Sequence, residues 1–199
     1  MALFPTSPDD SHRYAGFWIR AGSQILDMLM TLPIIAVIAW IDASYRLGPL
    51  YALLPSLAFS LFFAVYLVYR FGGTPGKLLL AIRITSVDGS RVTSRQAFIR
   101  EAPTLALTVL STIGQCVTLL RVSDAEFYGH SWLERQQYLS QFAPRWVFLV
   151  AILMQLWTWS ELIVVLTNRQ RRALHDFIAG TVVIKKEYAD PIQIPAEEV

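Results

Sequence analysis

The sequence predicts an all-α transmembrane bundle of four helices carrying a small cytosolic β-hairpin or strand element. Composition is the first reason: of 199 residues, 54% are hydrophobic and only 16% charged, and the mean hydropathy of +0.44 is too high for an ordinary soluble fold. Spacing is the second, because four runs, about 16–41, 50–69, 98–120 and 146–167, each supply the roughly 20 mostly apolar residues that cross a hydrocarbon core. The third is a local change of period: AIRITSV over 81–87 alternates at Ile82 and Ile84 and runs into Asp88-Gly89 and SRVTS, the pattern of a β-hairpin with a tight turn. Such a segment cannot lie open in lipid, so it belongs at the aqueous surface.

Residues 1–14 carry Pro5, Pro8, Asp9 and Asp10 without an apolar period and read as a disordered cytosolic tail. Two acids and no basic start argue against a cleaved leader, so the first helix is expected to be retained. That helix is apolar except for Arg20, Gln24 and Asp27, which fall on one face at i, i+4 and i+7. Charges on a lipid-soluble helix are costly unless they meet protein, water or each other, so this stripe should face inward. Phe17, Trp18 and Trp40 are spaced as interfacial aromatics, and Pro33 marks a place for a kink. The second run has no charge and is bounded by Tyr51, Tyr66 and Tyr69.

The third run is interrupted by Arg100 and Glu101, and its Thr104, Thr108, Ser111, Gln115 and Thr118 form a polar stripe at helical spacing. That stripe fits a crossing helix facing the bundle or a helix lying in the interface. Residues 121–145 are polar with scattered aromatics and read as a surface helix or loop. The fourth run places Gln155, Thr158 and Glu161 on one side, and an intramembrane Glu is a functional candidate by default. Beyond it come a short ALHDFIAG segment, a strand-like TVVIKK expected to pair with AIRITSV, and a disordered tail from 187 to 199; the membrane domain is 15–186.

Charge sets the orientation. With four crossings, Arg46, Arg121, Arg135 and Arg145 fall on one side and the other 13 of 17 Lys and Arg on the opposite side, which becomes cytoplasmic. A flat third run would move the RQRR tail outside, against the rule. The expectation is a multi-pass protein of the plasma (inner) membrane with both termini cytoplasmic.

The remaining motifs exclude more than they assign. GGTPGKLL lacks the spacing glycine and the following Ser or Thr of a phosphate loop. Cys116 is the sole cysteine and His175 has no ligand-spaced partner, so neither a disulfide nor a metal is expected, and no catalytic residue or cofactor. A net charge of +2 without a basic tract gives no nucleic-acid surface.

Three segments together resemble the RDD family of polytopic membrane proteins, named for an arginine and two aspartates. YAGFWIRAGSQILDML has the family's aromatic start and an Arg seven residues before an Asp, Arg20 and Asp27. GGTPGKLLLAIRITSVDG resembles the family's Gly-Thr-Pro-Gly-Lys segment, and RRALHDFIAGTVVI its closing His-Asp motif, which puts the second aspartate at Asp176. The resemblance implies a membrane protein of which a few relatives are associated with monovalent cation/proton antiport. On that reading Asp27 is the ion or proton ligand, with Arg20, Asp176 and Glu161 in its charge network, and Gln24, Thr108, Ser111 and Gln115 lining a polar path. The competing reading is a non-catalytic scaffold or accessory protein that docks a cytosolic protein partner, another copy or anionic lipid. Arg20 and Asp27 stand about 10 Å apart along the helix at 1.5 Å per residue, so each needs another partner. Asp176 is the expected partner of Arg20, and the third-run stripe that of Asp27.

Overall fold

The computed structural model describes residues 12–167 and 171–189, apart from the side chains of Trp132, Glu161 and Leu162. Most of the two expected tails, 1–11 and 190–199, therefore lies outside the described residues, whereas Tyr14 and Ala189 at their inner edges are buried.

Helix α1 spans Phe17–Ser44 and continues through Pro33. The second run is α2, Gly48–Ser60, a π-helical turn Leu61–Tyr66, and α3, Leu67–Phe71. It ends at Gly72, whose φ of 78° is the left-handed conformation that closes a helix and that residues with a Cβ adopt at a cost. The short α4, Pro75–Leu79, follows, with Pro75 at the start where no backbone N–H is required. Strand β1 is Ile82–Ser86. Then come α5, Ser94–Leu119, α6, Asp124–Tyr128, α7, Trp132–Ser140, α8, Arg145–Thr167, and α9, Leu174–Ala179. Strand β2, Thr181–Lys185, and a 3-10 turn, Lys186–Tyr188, complete the described chain.

Four helical stretches, Phe17–Ser44, Gly48–Leu79, Ser94–Leu119 and Arg145–Thr167, are long and apolar enough to cross a membrane. Their outward side chains fit that solvent: Leu29, Leu32, Leu54, Phe148, Leu153 and Leu156 are all exposed, a density of apolar surface suited to lipid. The third run is thus one helix of crossing length.

The chain divides into two compact units. One is built from Met1–Met30, Leu61–Glu101 and Trp159–Val199. At its centre β1 pairs antiparallel with β2, Ile84 opposite Val183, and Tyr14 bridges to Ile184 on the other edge. The β-branched residues follow the pleat: Ile82, Ile84 and Val183 pack with Ala15, Val68, Val92 and Ala97, while Val182 and Ile184 pack with Tyr14 and Ala189. Each buried Ile or Val contributes about 1.5–3 kcal/mol relative to exposure.

The expected pairing of AIRITSV with TVVI forms, but the local hairpin does not. Asp88 caps the turn through the N–H and hydroxyl of Ser90. SRVTS then makes no strand, because Thr93 and Gln96 exchange side-chain and backbone bonds that start α5. The helix start signal TSRQ overrides the strand pattern.

The second unit comprises Thr31–Ser60 and Ala102–Thr158. Phe127 of α6 packs on Leu119 and Val122, joined by Tyr138, Leu139 and Phe142. Arg46 ties the α1–α2 turn to this cluster by donating to the carbonyls of Leu119 and Val122 and pairing with Asp124 at 2.7 Å. Ser123 and Glu126 form a capping box for α6, and the hydrogen bonds from Ser123 hold the Glu126 carboxyl down at about 2.

Candidate functional site

Two buried aspartates organise the first unit, and each is held by a different device. Asp176, at the third position of α9, is 0% exposed. Its Oδ2 accepts from Arg20 Nη1 at 3.0 Å and from the Ala173 backbone N–H at 2.9 Å. Its Oδ1 accepts from Arg100 Nη1 and from Thr181 Oγ1 at 3.2 Å. Four donors replace the lost hydration of the carboxylate, and two of them carry positive charge. Burial alone would raise its pKa, but Arg100, the neighbouring His175 and Arg20 together more than offset it and hold the carboxyl well below its ordinary range.

The donors are themselves fixed. Arg20 Nε donates to the Ala15 carbonyl at 3.1 Å. Arg100 Nη2 lies 2.6 Å from His175 Nε2, which stands 3.5 Å from Asp176 Oδ1. Arg172 closes the other side, donating to the carbonyls of Thr181 at 2.9 Å and Asp176 at 2.8 Å while its guanidinium lies over the Phe177 ring. α1, α5, α9 and β2 thus meet at one carboxylate.

Asp27, two turns further along α1, is held by the glycine-rich exit of the second run. Thr74 Oγ1 donates to its Oδ2 at 2.5 Å and the Gly76 N–H to its Oδ1 at 2.7 Å. Lys77 Nζ stands 3.9 Å from Oδ2 and donates to Thr74 Oγ1 at 3.2 Å. The four residues of Thr-Pro-Gly-Lys supply, in turn, a hydroxyl donor, a helix start, a close approach and a counter-charge. The glycine is sterically required, since a Cβ at position 76 would collide with the Ser23 carbonyl and stand 2.9 Å from the Asp27 carboxylate. The Gly76 backbone amide is thus occupied by the chain's own carboxylate.

The expected Arg20–Asp176 pair is present. Asp27, expected to turn to the third-run stripe, instead binds Thr74 and Gly76. Of that stripe, Thr108 and Ser111 are half-buried, and Gln115 is exposed and donates to Ser111 Oγ at 3.3 Å. Gln24 is exposed, and the Glu161 side chain lies outside the described residues. Sequence reasoning missed Arg100, Arg172, Thr181 and the roles of Thr74 and Lys77. The usable signal was Arg100 itself, a guanidinium one turn inside an apolar run, which requires an anion.

A sequence model described as the RDD family matches residues 14–180. The chain belongs to the RDD family. Arg20, Asp27 and Asp176 are all buried in the first unit. Among curated proteins, "Uncharacterized protein YckC" of Bacillus subtilis (strain 168) is 25% identical over 187 residues, covering 90% of this chain and 88% of that one. No solved structure matches the chain. With its apolar helices, this RDD protein is a multi-pass membrane protein whose surroundings are a lipid bilayer.

Proposed function

We propose that this RDD protein is a non-catalytic scaffold of the plasma membrane, with both termini cytoplasmic, whose charge network locks a small β module to its membrane helices for docking of a cytosolic partner or anionic lipid. The observation that carries the reading is the full hydrogen-bonding of Asp176: a carboxylate with four donors, at 0% exposure, has no capacity left for a transported ion and every feature of a structural tie. Asp27 supports it, since its two oxygens pin the α4 start to α1.

A second reading, monovalent cation/proton antiport, draws on one observation. Asp27 and Lys77 form a carboxylate–ammonium pair at 3.9 Å with a shared threonine hydroxyl, in helical segments of membrane-crossing length, and such pairs exchange protons in many pathways. Flux through proteoliposomes separates the two. The scaffold reading expects no pH-dependent cation flux above protein-free vesicles; flux that Asp27→Asn abolishes overturns it in favour of antiport. The orientation is tested by cysteine labelling in a Cys116→Ala background: Ser90→Cys should react only from the cytosol and Ser131→Cys only from outside, and cytosolic labelling at 131 refutes four crossings.

A further inference from the structure

We infer that the first unit carries a phosphate-binding pocket, separate from the aspartate network, formed by Arg70, Arg83, Thr85 and Arg91. These residues line one cavity of about 380 Å³, together with Phe71 and Gly72 at the end of the second run. Three arginines, of which Arg70 and Arg91 are exposed, line this small space with no acidic residue in its wall. Among the described residues none of the three forms an ion pair; Arg70 has only the Phe71 ring, at 5.9 Å. Like charges gathered around a cavity repel, and an anion between them reverses the sign of that interaction.

The pocket is built rather than superficial. Arg83 and Thr85 are alternate residues of β1, so they project from the same face of the strand. Thr85 is 4% exposed, and both its Oγ1 and Arg83 Nε are buried without a hydrogen-bond partner. Such atoms are rare in folded proteins because each is costly to strand, and here both belong to residues of one cavity wall that three arginines share. The strand is fixed where it meets this wall, since the Ile84 N–H donates to the Gly72 carbonyl at 2.6 Å.

Guanidiniums and a hydroxyl arriving from three chain segments suit an acceptor with oxygens in several directions. A phosphate offers that; a planar carboxylate with two oxygens does not. The phosphate can be that of an anionic lipid headgroup, which Tyr69 to Phe71 at the close of the second membrane run would place within reach, or a free phosphate compound. The lipid case rests on the scaffold reading above and names its ligand; the free-phosphate case does not depend on it.

The test is calorimetric titration of the purified full chain in neutral detergent, at fixed ionic strength, with dioleoylphosphatidylglycerol, dioleoylphosphatidylcholine and inorganic phosphate. Saturable binding of phosphatidylglycerol but not phosphatidylcholine, weakened about tenfold or more by Arg83→Gln and by the exposed Arg91→Gln but unchanged by Arg95→Gln outside the cavity, establishes a headgroup site. The same variant pattern with inorganic phosphate establishes a free-phosphate site. Thr85→Val serves where Arg83→Gln fails to fold: it removes a stranded hydroxyl, so it should keep or raise the melting temperature while weakening binding severalfold. Equal losses in Arg95→Gln, indifference to Arg91→Gln and Thr85→Val, or no binding of either anion overturns the pocket. Cation flux would overturn the scaffold reading and leave the pocket's binding intact, so the two failures are distinguishable.

Discussion

Replacing Asp176 by Asn removes one negative charge and converts one acceptor oxygen into a donor, while changing almost no volume. The two guanidiniums that lose it are deeply set, with side-chain exposures of 11% for Arg20 and 9% for Arg100. Breaking a buried pair in this way costs about 3–5 kcal/mol, most of it the desolvation of the cations left behind. The new amide also faces at least one donor head-on, either the Ala173 N–H and Arg20 or Thr181 and Arg100. A local reporter reads this better than global melting. Val182→Cys, at a position 1% exposed in β2, reacts with a thiol reagent only when the module opens, in a Cys116→Ala background. At 1.4 kcal/mol per decade, Asp176→Asn should speed that reaction by about two to three and a half orders of magnitude. Adding Arg20→Gln should give a coupling energy of about 1–3 kcal/mol in a double-mutant cycle. The reciprocal exchange Arg20→Asp with Asp176→Arg should not recover stability, because it sets a guanidinium at 176 against Arg100. Acceleration of less than about fivefold by Asp176→Asn would refute the lock, since it corresponds to under about 1 kcal/mol.

Three further outcomes follow from the same geometry. The Val183 carbonyl accepts from Ala15, so in an antiparallel ladder Val183 turns its amide edge away from β1 and Ile184 turns toward it. Ile184→Pro should therefore cost about 1–3 kcal/mol through the stranded Arg83 carbonyl and accelerate Val182→Cys labelling about five- to 150-fold; an unchanged rate would place the ladder elsewhere. Gly76→Ala should destabilise by about 1–3 kcal/mol as its methyl meets the Ser23 carbonyl, and a melting temperature at the wild-type value would show that α4 can shift freely. The acid limb of stability has a fixed sign: the folded Asp176 carboxyl titrates below its ordinary 3.8, so its contribution is complete above that value and is lost as pH falls through the lower folded value. Melting temperature should hold from pH 8 to about 5 and drop below about 4 in wild type, and the drop should shrink in Asp176→Asn.

Much of this was legible in the chain. Four apolar runs gave the helices because bilayer thickness imposes their length, and Arg20 found Asp176 because a charge inside a greasy helix must be met from the same side. The joining of residues 82–86 to 181–185 followed from two strand patterns expected on the same side of the membrane. What stayed hidden depended on close approach. Asp27 reads as free for the third run until Gly76 is seen to admit its carboxylate, a matter of a missing Cβ rather than of periodicity. SRVTS alternates well enough for a strand, but the Thr93–Gln96 exchange commits it to a helix, and competition between two local signals is not decided by either alone. Arg172 and Thr181 needed the turn after α9 to bring a side chain and a carbonyl 9 residues apart into contact.

The dependence of Arg20 and Arg100 on Asp176 has a temporal side. Counting along the chain, 156 residues separate the first guanidinium from its counter-ion and 76 the second. At about 5–20 residues per second, a ribosome needs roughly 8–30 s and 4–15 s to supply those intervals. During that time the first and third helices leave the translocation machinery with arginines whose eventual anion has not been synthesised. Neutralisation of both arginines therefore waits on one late residue, and a chain that stops short of Asp176 holds two guanidiniums without the carboxylate that joins them.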